Sequence, residues 1–179
     1  MNRKDAGFSL IELIVTVAIA AIVLAIAVPS FAGPMQRARE ANAYHLLTAS
    51  LASARLRAVK DGTPVTVCPS SDGLTCRDDE VWRHGWIVYG DPDRNDQPRA
   101  GEAVFERVDG IGRGLFLRST AGRKRVRYLP SGWAYGSNIS IRLCRSGQDG
   151  FLGSVIVNIA GRARTQRQAE PSPCPFAAE

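Results

Sequence analysis

The sequence predicts an α+β protein: a long N-terminal helix, apolar enough in its first part to cross a membrane, packed against a small antiparallel β-sheet domain. Three observations predict it. Residues Phe8 to Val28 form an apolar stretch of 21 residues. Met35 to Lys60 places apolar residues at helical spacing. From Thr63 onward the pattern changes to short β-type runs separated by Gly, Pro, Asn and Asp clusters.

The apolar stretch is interrupted only by Ser9, Glu12 and Thr16. As a helix it spans about 30 Å, the thickness of a bilayer's hydrocarbon. Arg3 and Lys4 precede it. The expectation is therefore a single pass of the inner membrane, with the N-terminus in the cytoplasm and the rest in the periplasm. A secretory signal has a shorter apolar core followed by a small-residue cleavage site. Here the small and polar residues come before the apolar run. Glu12, inside it, costs about 2.5–3.5 kcal/mol in hydrocarbon and calls for a partner.

The string Lys4-Asp5-Ala6-Gly7-Phe8-Ser9-Leu10-Ile11-Glu12-Leu13 resembles the prepilin peptidase site of type IV pilins and type II secretion pseudopilins. The resemblance implies cleavage by a prepilin peptidase between Gly7 and Phe8 and N-methylation of Phe8, with residues 1–7 as the leader. It also implies an assembly role for Glu12: the new α-amino group of Phe8 on a neighbouring subunit supplies its partner when stems pack in a filament.

Pro29 and Pro34 are expected to interrupt or kink the helix, dividing residues 8–60 into a membrane and assembly part (8–28) and an amphipathic part (35–60). In the second part Ala38, Leu47, Leu51, Ala54 and Ala58 fall near one face, while Arg39, Arg55, Arg57 and Lys60 populate others. Asp61-Gly62 supplies the stop. This half is expected to pack on a globular domain, residues 61–179, that ends in a basic tail.

Six runs read as strands: Pro64–Cys68, Gly85–Tyr89, Ala103–Val108, Lys124–Leu129, Ile139–Cys144 and Ser154–Ile159. Val126 and Tyr128 alternate with Arg125 and Arg127; Ile139, Ile141 and Leu143 share a face opposite Arg142. One face of the sheet is thus expected to be apolar, covered by the helix, and the other to bear arginines. The four cysteines are even in number and lie beyond an export segment, so two disulfides are expected. Three pairings are possible. The expected one is Cys68–Cys76, closing a short loop, with Cys144–Cys174, tying the tail to a strand. With no Cys-x-x-Cys and only His45 and His84, a zinc site is not expected.

The order of several weak signals along the chain is similar to the GspH/FimT family of minor pseudopilins. The carriers are Val67-Cys68-Pro69, Trp82-x-x-Gly85-Trp86-Ile87-Val88-Tyr89, Asp91 with Glu102-Ala103-Val104, Leu143-Cys144, and Ile159-Ala160-Gly161-Arg162-Ala163-Arg164. The resemblance implies a helix spine with small β-sheets. It implies a low-abundance subunit near a pilus tip, in a filament with other major and minor pilins.

The charge is +6 overall and uneven. Residues 1–109 hold 12 Lys+Arg against 14 Asp+Glu, and residues 110–179 hold 11 against 3. Such asymmetry points to an anionic partner for the second half. Arg162 and Arg164 are two apart, so on an extended chain they project from one side, and guanidinium forks pair with phosphate regardless of base sequence. Gly161-Arg162-Ala163-Arg164 resembles the Gly-Arg-x-Arg motif of FimT-type minor pilins. That resemblance implies DNA capture in natural transformation, through Arg162 and Arg164 with Arg167, Arg142 and Arg145 as helpers. The alternative is a structural pseudopilin that primes pilus or secretion assembly without DNA, its basic half facing acidic neighbours.

Asp91, Asp93, Asn95, Asp96 and Glu102 imitate part of a calcium loop, but Asp96 stands where the sharp turn needs Gly, so a polar turn is expected instead. Trp86 is expected in the core; Trp82 and Trp133 are left open between core and base stacking. No motif for hydrolysis, phosphate transfer or metalloprotease chemistry occurs, so no enzyme, cofactor or metal is expected.

Overall fold

The computed structural model describes residues 9–99, 104–136, 138–146 and 150–176. The expected leader, Phe8 and Glu102 lie outside the described residues. One helix, α1 (Leu10–Asp61), is 52 residues long. Ser9 caps its start, its Oγ accepting the Glu12 N–H at 3.3 Å. The helix runs through positions 29 and 34 as one element, so of the expected interruption or kink the interruption does not occur. Each proline removes a single backbone donor. The chain divides into two compact units, Met1–Glu40 and Ala41–Glu179.

Within the second unit α1 buries Ala43, Tyr44, Leu47, Leu51, Ala54 and Ala58. These recur every three or four residues, one apolar stripe. Ala38, expected on the same stripe, is exposed, since it lies in the other unit. Lysine or arginine on this stretch is not all solvent-facing: Arg55 is half-buried, and the Arg57 guanidinium stands 4.6 Å from the centroid of the Phe105 ring.

Eight strands follow: β1 (Val65–Pro69), β2 (Gly85–Gly90), β3 (Val104–Asp109), β4 (Leu115–Ser119), β5 (Val126–Tyr128), β6 (Ile139–Arg145), β7 (Phe151–Val157) and β8 (Ala163–Arg167). They form two four-stranded sheets, ordered β3-β2-β1-β5 and β4-β6-β7-β8, and the pairings are antiparallel throughout. Six runs taken as a single sheet conceal this division. β4 and β8 each complete an edge of the second sheet, and neither stands out as a strand in the sequence. Both sheets send one face to a common core with α1: Val65, Val67, Trp86, Val88, Val126 and Tyr128 from the first, Leu117, Ile141, Leu143, Val155 and Val157 from the second.

The opposite face of the first sheet is not the open arginine face expected from alternation. Cys68, Cys76, Ile87 and Tyr89 form a second, small apolar cluster there. The segment after β1 folds over it, tied by the Cys68–Cys76 disulfide. Gln97 holds the segment after β2 against it, accepting from Cys76 N at 2.9 Å and donating to Cys76 O at 2.9 Å. Arg127, on this face, is 8% exposed. Its Nε donates to Asp91 Oδ2 at 2.7 Å, and Thr66 Oγ1 donates to the same oxygen at 2.7 Å. Burying a charge is tolerable only with such partners. A second disulfide joins Cys144 of β6 to Cys174.

Candidate functional site: the apolar stem and the arginines of the second sheet

Leu10–Val28 has a mean hydropathy of 2.9 and none of it is buried within the chain. Leu10, Ile14, Ile22, Leu24 and Val28 are all more than half exposed. An apolar surface this long needs lipid or other helices around it. Glu12 is the one charged residue in the span, in the first turn of α1, where the helix dipole favours a negative charge. Gly7 and Phe8, the expected cleavage and methylation positions, lie outside the described residues.

The structure separates the five arginines expected to act together. Arg142 lies across β6–β4 from Arg118 and across β6–β7 from Ser154. Arg164 pairs with Ile156, and Gln166 with Ser154. Directly opposed residues share a face, so Arg142 and Arg164 are on the face turned away from α1, with β7 between them. Arg167 pairs with Gly153 on the other face, where its guanidinium stands 5.7 Å from the Tyr44 ring centroid. Arg145 ends β6 opposite Leu115. Arg162 precedes β8, in the turn closed by Gly161 N to Asn158 O at 2.8 Å and Arg162 N to Asn158 Oδ1 at 2.9 Å. It borders a hollow beside Thr48 and Ala52 of α1. β8 begins at Ala163, so Arg162 lies just before the strand and Arg164 within it.

Gly161 has a φ of 74° and Gly132 a φ of 78°. A Cβ on Gly161 would lie 2.1 Å from the Gly132 oxygen. The glycine of the Gly-Arg-x-Arg tetrapeptide is therefore required by close backbone approach. The group that binds this corner is Arg55 of α1, which helical spacing places merely off the buried face; the isolated Gly132 and Gly161 are the only sequence signal of a tight crossing.

Charge pairing is uneven across the two sheets, and Arg118 of β4 in the second lies 3.9 Å from Glu80. At the first, Lys124 Nζ meets Asp78 at 2.8 Å, Arg125 Nη1 meets Asp96 at 3.0 Å, and Arg127 meets Asp91 and Asp96. Burial disfavours the Arg127 charge, but the bonds to Asp91 and Asp96 more than offset it and its pKa lies above the ordinary value. At the second, Arg162 and Arg164 are exposed and pair with no carboxylate among the described residues. The loop that imitates a calcium site spends Asp91 and Asp96 on arginines, and Asp93 on Arg99. Trp82 and Trp86 are fully buried, whereas Trp133 is 55% exposed.

The family model described as type II transport protein GspH matches residues 43–161. The chain belongs to the GspH family. A second model, the prokaryotic N-terminal methylation motif, matches residues 2–28 of this GspH-family chain. The type IV minor pilin FimU of Pseudomonas aeruginosa is similar in structure in two crystal forms, both at 18% identity. One has a TM-score of 0.58 and covers 78% of this chain and 97% of that one; the other has 0.54, with 74% and 98%. The minor pseudopilin EpsH from the type 2 secretion system of Vibrio cholerae matches at 14% identity with a TM-score of 0.50, covering 72% of this chain and 96% of that one. No curated protein sequence matches. The GspH-family chain is a minor pilin or pseudopilin of the GspH/FimT type, with a helical stem and antiparallel sheets.

Proposed function

We propose that this chain is a minor type IV pilin that captures DNA, without regard to sequence, through the arginines of its β7–β8 corner, for uptake in natural transformation. The observation that carries the reading is the contrast in pairing. Three of the cations on the first sheet are held by aspartates, while Arg162 and Arg164 stand in water with no carboxylate partner among the described residues. Cations left unpaired in a half-chain of strong positive excess favour an anionic polymer. Arg142 adds to Arg164 on the same face.

The stem supports incorporation in a filament. A prepilin peptidase removes residues 1–7, the α-amino group of Phe8 is methylated, and Glu12 meets that amino group on the neighbouring subunit. The domain is held in the periplasm until assembly. Mass spectrometry of the mature N-terminus tests the first step, and Met1 retained would overturn it. Glu12→Leu is expected to leave the chain in the inner membrane and absent from sheared filaments.

DNA capture is tested with the full-length chain in detergent micelles. Arg162→Gln with Arg164→Gln is expected to lower duplex affinity and to make the log–log salt slope shallower by about 1.8, which is about 0.9 for each phosphate no longer neutralised. An affinity and slope both unchanged would remove the site. A second reading is a subunit that primes pilus or secretion pseudopilus assembly without DNA. What favours it is Arg167 facing α1, which divides the arginines between two faces. A deletion strain with defective piliation or secretion but normal DNA uptake per pilus selects it.

A further inference from the structure

β5 and β8 are edge strands of the two sheets, and a hollow of about 450 Å³ lies where they meet α1. Its walls include Ala52 and Arg55 of α1, Tyr128 of β5 and Arg162 just before β8, while Leu51 and Ala163 make much of the rest apolar. No acidic residue lines it, whereas the cleft beside Lys124 is lined by Asp78 and Asp96 as well as by cations.

Three hydrogen-bond donors at this hollow are unspent. Arg55 commits Nε and Nη2 to the Gly132 and Ala160 carbonyls, and its Nη1 has no partner among the described residues. The Arg162 guanidinium has none among them either. The Tyr128 hydroxyl is buried without a partner, which is costly for a polar group. Burial raises the Tyr128 pKa above the ordinary tyrosine value, and the Arg55 charge opposes this only in part. The hydroxyl therefore keeps its proton and can donate it to an acceptor.

An apolar border adjoins the donors. Thr48, Ala52, Arg55 and Val59 follow one another at four, three and four residues, one line along α1. Val59 is 51% exposed, and its Cγ2 lies 3.2 Å from where a Cβ on Gly132 would stand. Trp133, the next residue after Gly132, is 55% exposed.

We infer that this seam between the sheets is a docking site for an adjoining pilin-type subunit, which inserts an Asp or Glu side chain into the hollow while its apolar surface covers Val59 and Trp133; this rests on the filament reading above and not on DNA. Charge complementarity selects the occupant: the hollow has cations and no acid of its own. A carboxylate has two oxygens with about four acceptor sites, enough for three donors. Its charge-assisted bonds are the strong ones. A protein surface supplies an acid and apolar contact together, whereas a DNA backbone is charged at every step and gains little by covering Val59 and Trp133.

The test uses the full chain in cells that assemble filaments. Ala52 is exposed, so Ala52→Trp fills the hollow without altering charge. It is expected to lower the content of this chain in sheared filaments about tenfold or more, with the thermal midpoint and the duplex-DNA affinity of the purified chain unchanged. A photoreactive p-benzoylphenylalanine at position 52 is expected to join to a subunit with an N-methylated stem, within a few residues of an Asp or Glu. Arg162→Glu is expected to lower filament content likewise, and changing the mapped acid of the neighbour to Arg is expected to restore it. Normal filament content of the Ala52→Trp chain overturns the inference, and so does a cross-link with no acid near it or a failed charge swap. If Ala52→Trp weakens duplex binding as the Arg162 and Arg164 changes do, the hollow belongs to the DNA surface and the inference falls. If the unaltered chain is absent from filaments, the filament reading and the inference fall together.

Discussion

Arg55 of α1 donates from Nε to the carbonyl of Gly132 at 2.9 Å and from Nη2 to the carbonyl of Ala160 at 3.1 Å. One guanidinium thereby joins the helix to the β5–β6 connection and to the β7–β8 turn. The first leads to Trp133, the second to Arg162, so the corner that presents the candidate binding groups is organised from the helix.

Replacing Arg55 by Met keeps the apolar stem of the side chain and leaves two carbonyls without their donor. The expected loss is about 2–3 kcal/mol, in the range for hydrogen bonds to a charged group. Lys offers a point charge instead of a fork and is expected to recover only part of it. Urea unfolding of the three proteins measures this, and an unchanged midpoint for the Met variant would show that the corner does not depend on Arg55.

Gly161→Ala is expected to destabilise by more than about 2 kcal/mol, because a left-handed backbone and a contact with a backbone oxygen act together. Neither can be relieved by moving a flexible side chain: the opposing atom is the Gly132 oxygen at 2.1 Å. Arg162→Gln beside it is expected to leave the thermal midpoint unchanged, since Arg162 is exposed. Equal midpoints for the two variants would contradict this account.

The two disulfides close loops of different length, with sequence separations of 8 and 30. Chain-entropy reasoning gives about 2.5 kcal/mol for the shorter and about 3.6 kcal/mol for the longer. Cys144→Ser with Cys174→Ser is therefore expected to lower the denaturation midpoint more than Cys68→Ser with Cys76→Ser. The reverse order would mean that the small cluster around Cys68, Ile87 and Tyr89 matters more than loop closure.

Stability is expected to fall as the pH drops below about 4, the ordinary carboxylate range. Asp72 accepts from Thr75 N at 2.9 Å, Thr75 Oγ1 at 2.7 Å, Leu74 N at 2.8 Å and Ser70 Oγ at 3.0 Å. The bonds from Thr75, then the Leu74 N–H, hold its carboxyl well below its usual pKa. A depressed folded pKa stabilises the fold above the unfolded value, and this is lost as pH falls through the folded one. Asp72→Asn is expected to reduce the acid sensitivity of the urea midpoint; a variant with the same pH profile would show that the turn contributes nothing there.

Local pattern carried much of this protein. The apolar run and its lone Glu12 are a matter of composition, and they mark the stem without any fold. The stripe from Leu47 to Ala58 follows from helical period, and alternation identified most of β1, β2, β5 and β6, because a side chain's face is decided by the backbone's own repeat. What period does not contain is the other side of each contact. Arg127 alternates like a surface residue, and only the fold brings Asp91 and Asp96 onto it. Arg162 and Arg164 are spaced for one face, and only the turn at Asn158–Gly161 takes Arg162 out of the strand. Trp82 and Trp133 are alike in sequence, yet one is buried among distant strands and the other is left in water. Burial, pairing of charge and the approach of two glycines are relations between segments far apart in the chain, and so tertiary packing alone decided them.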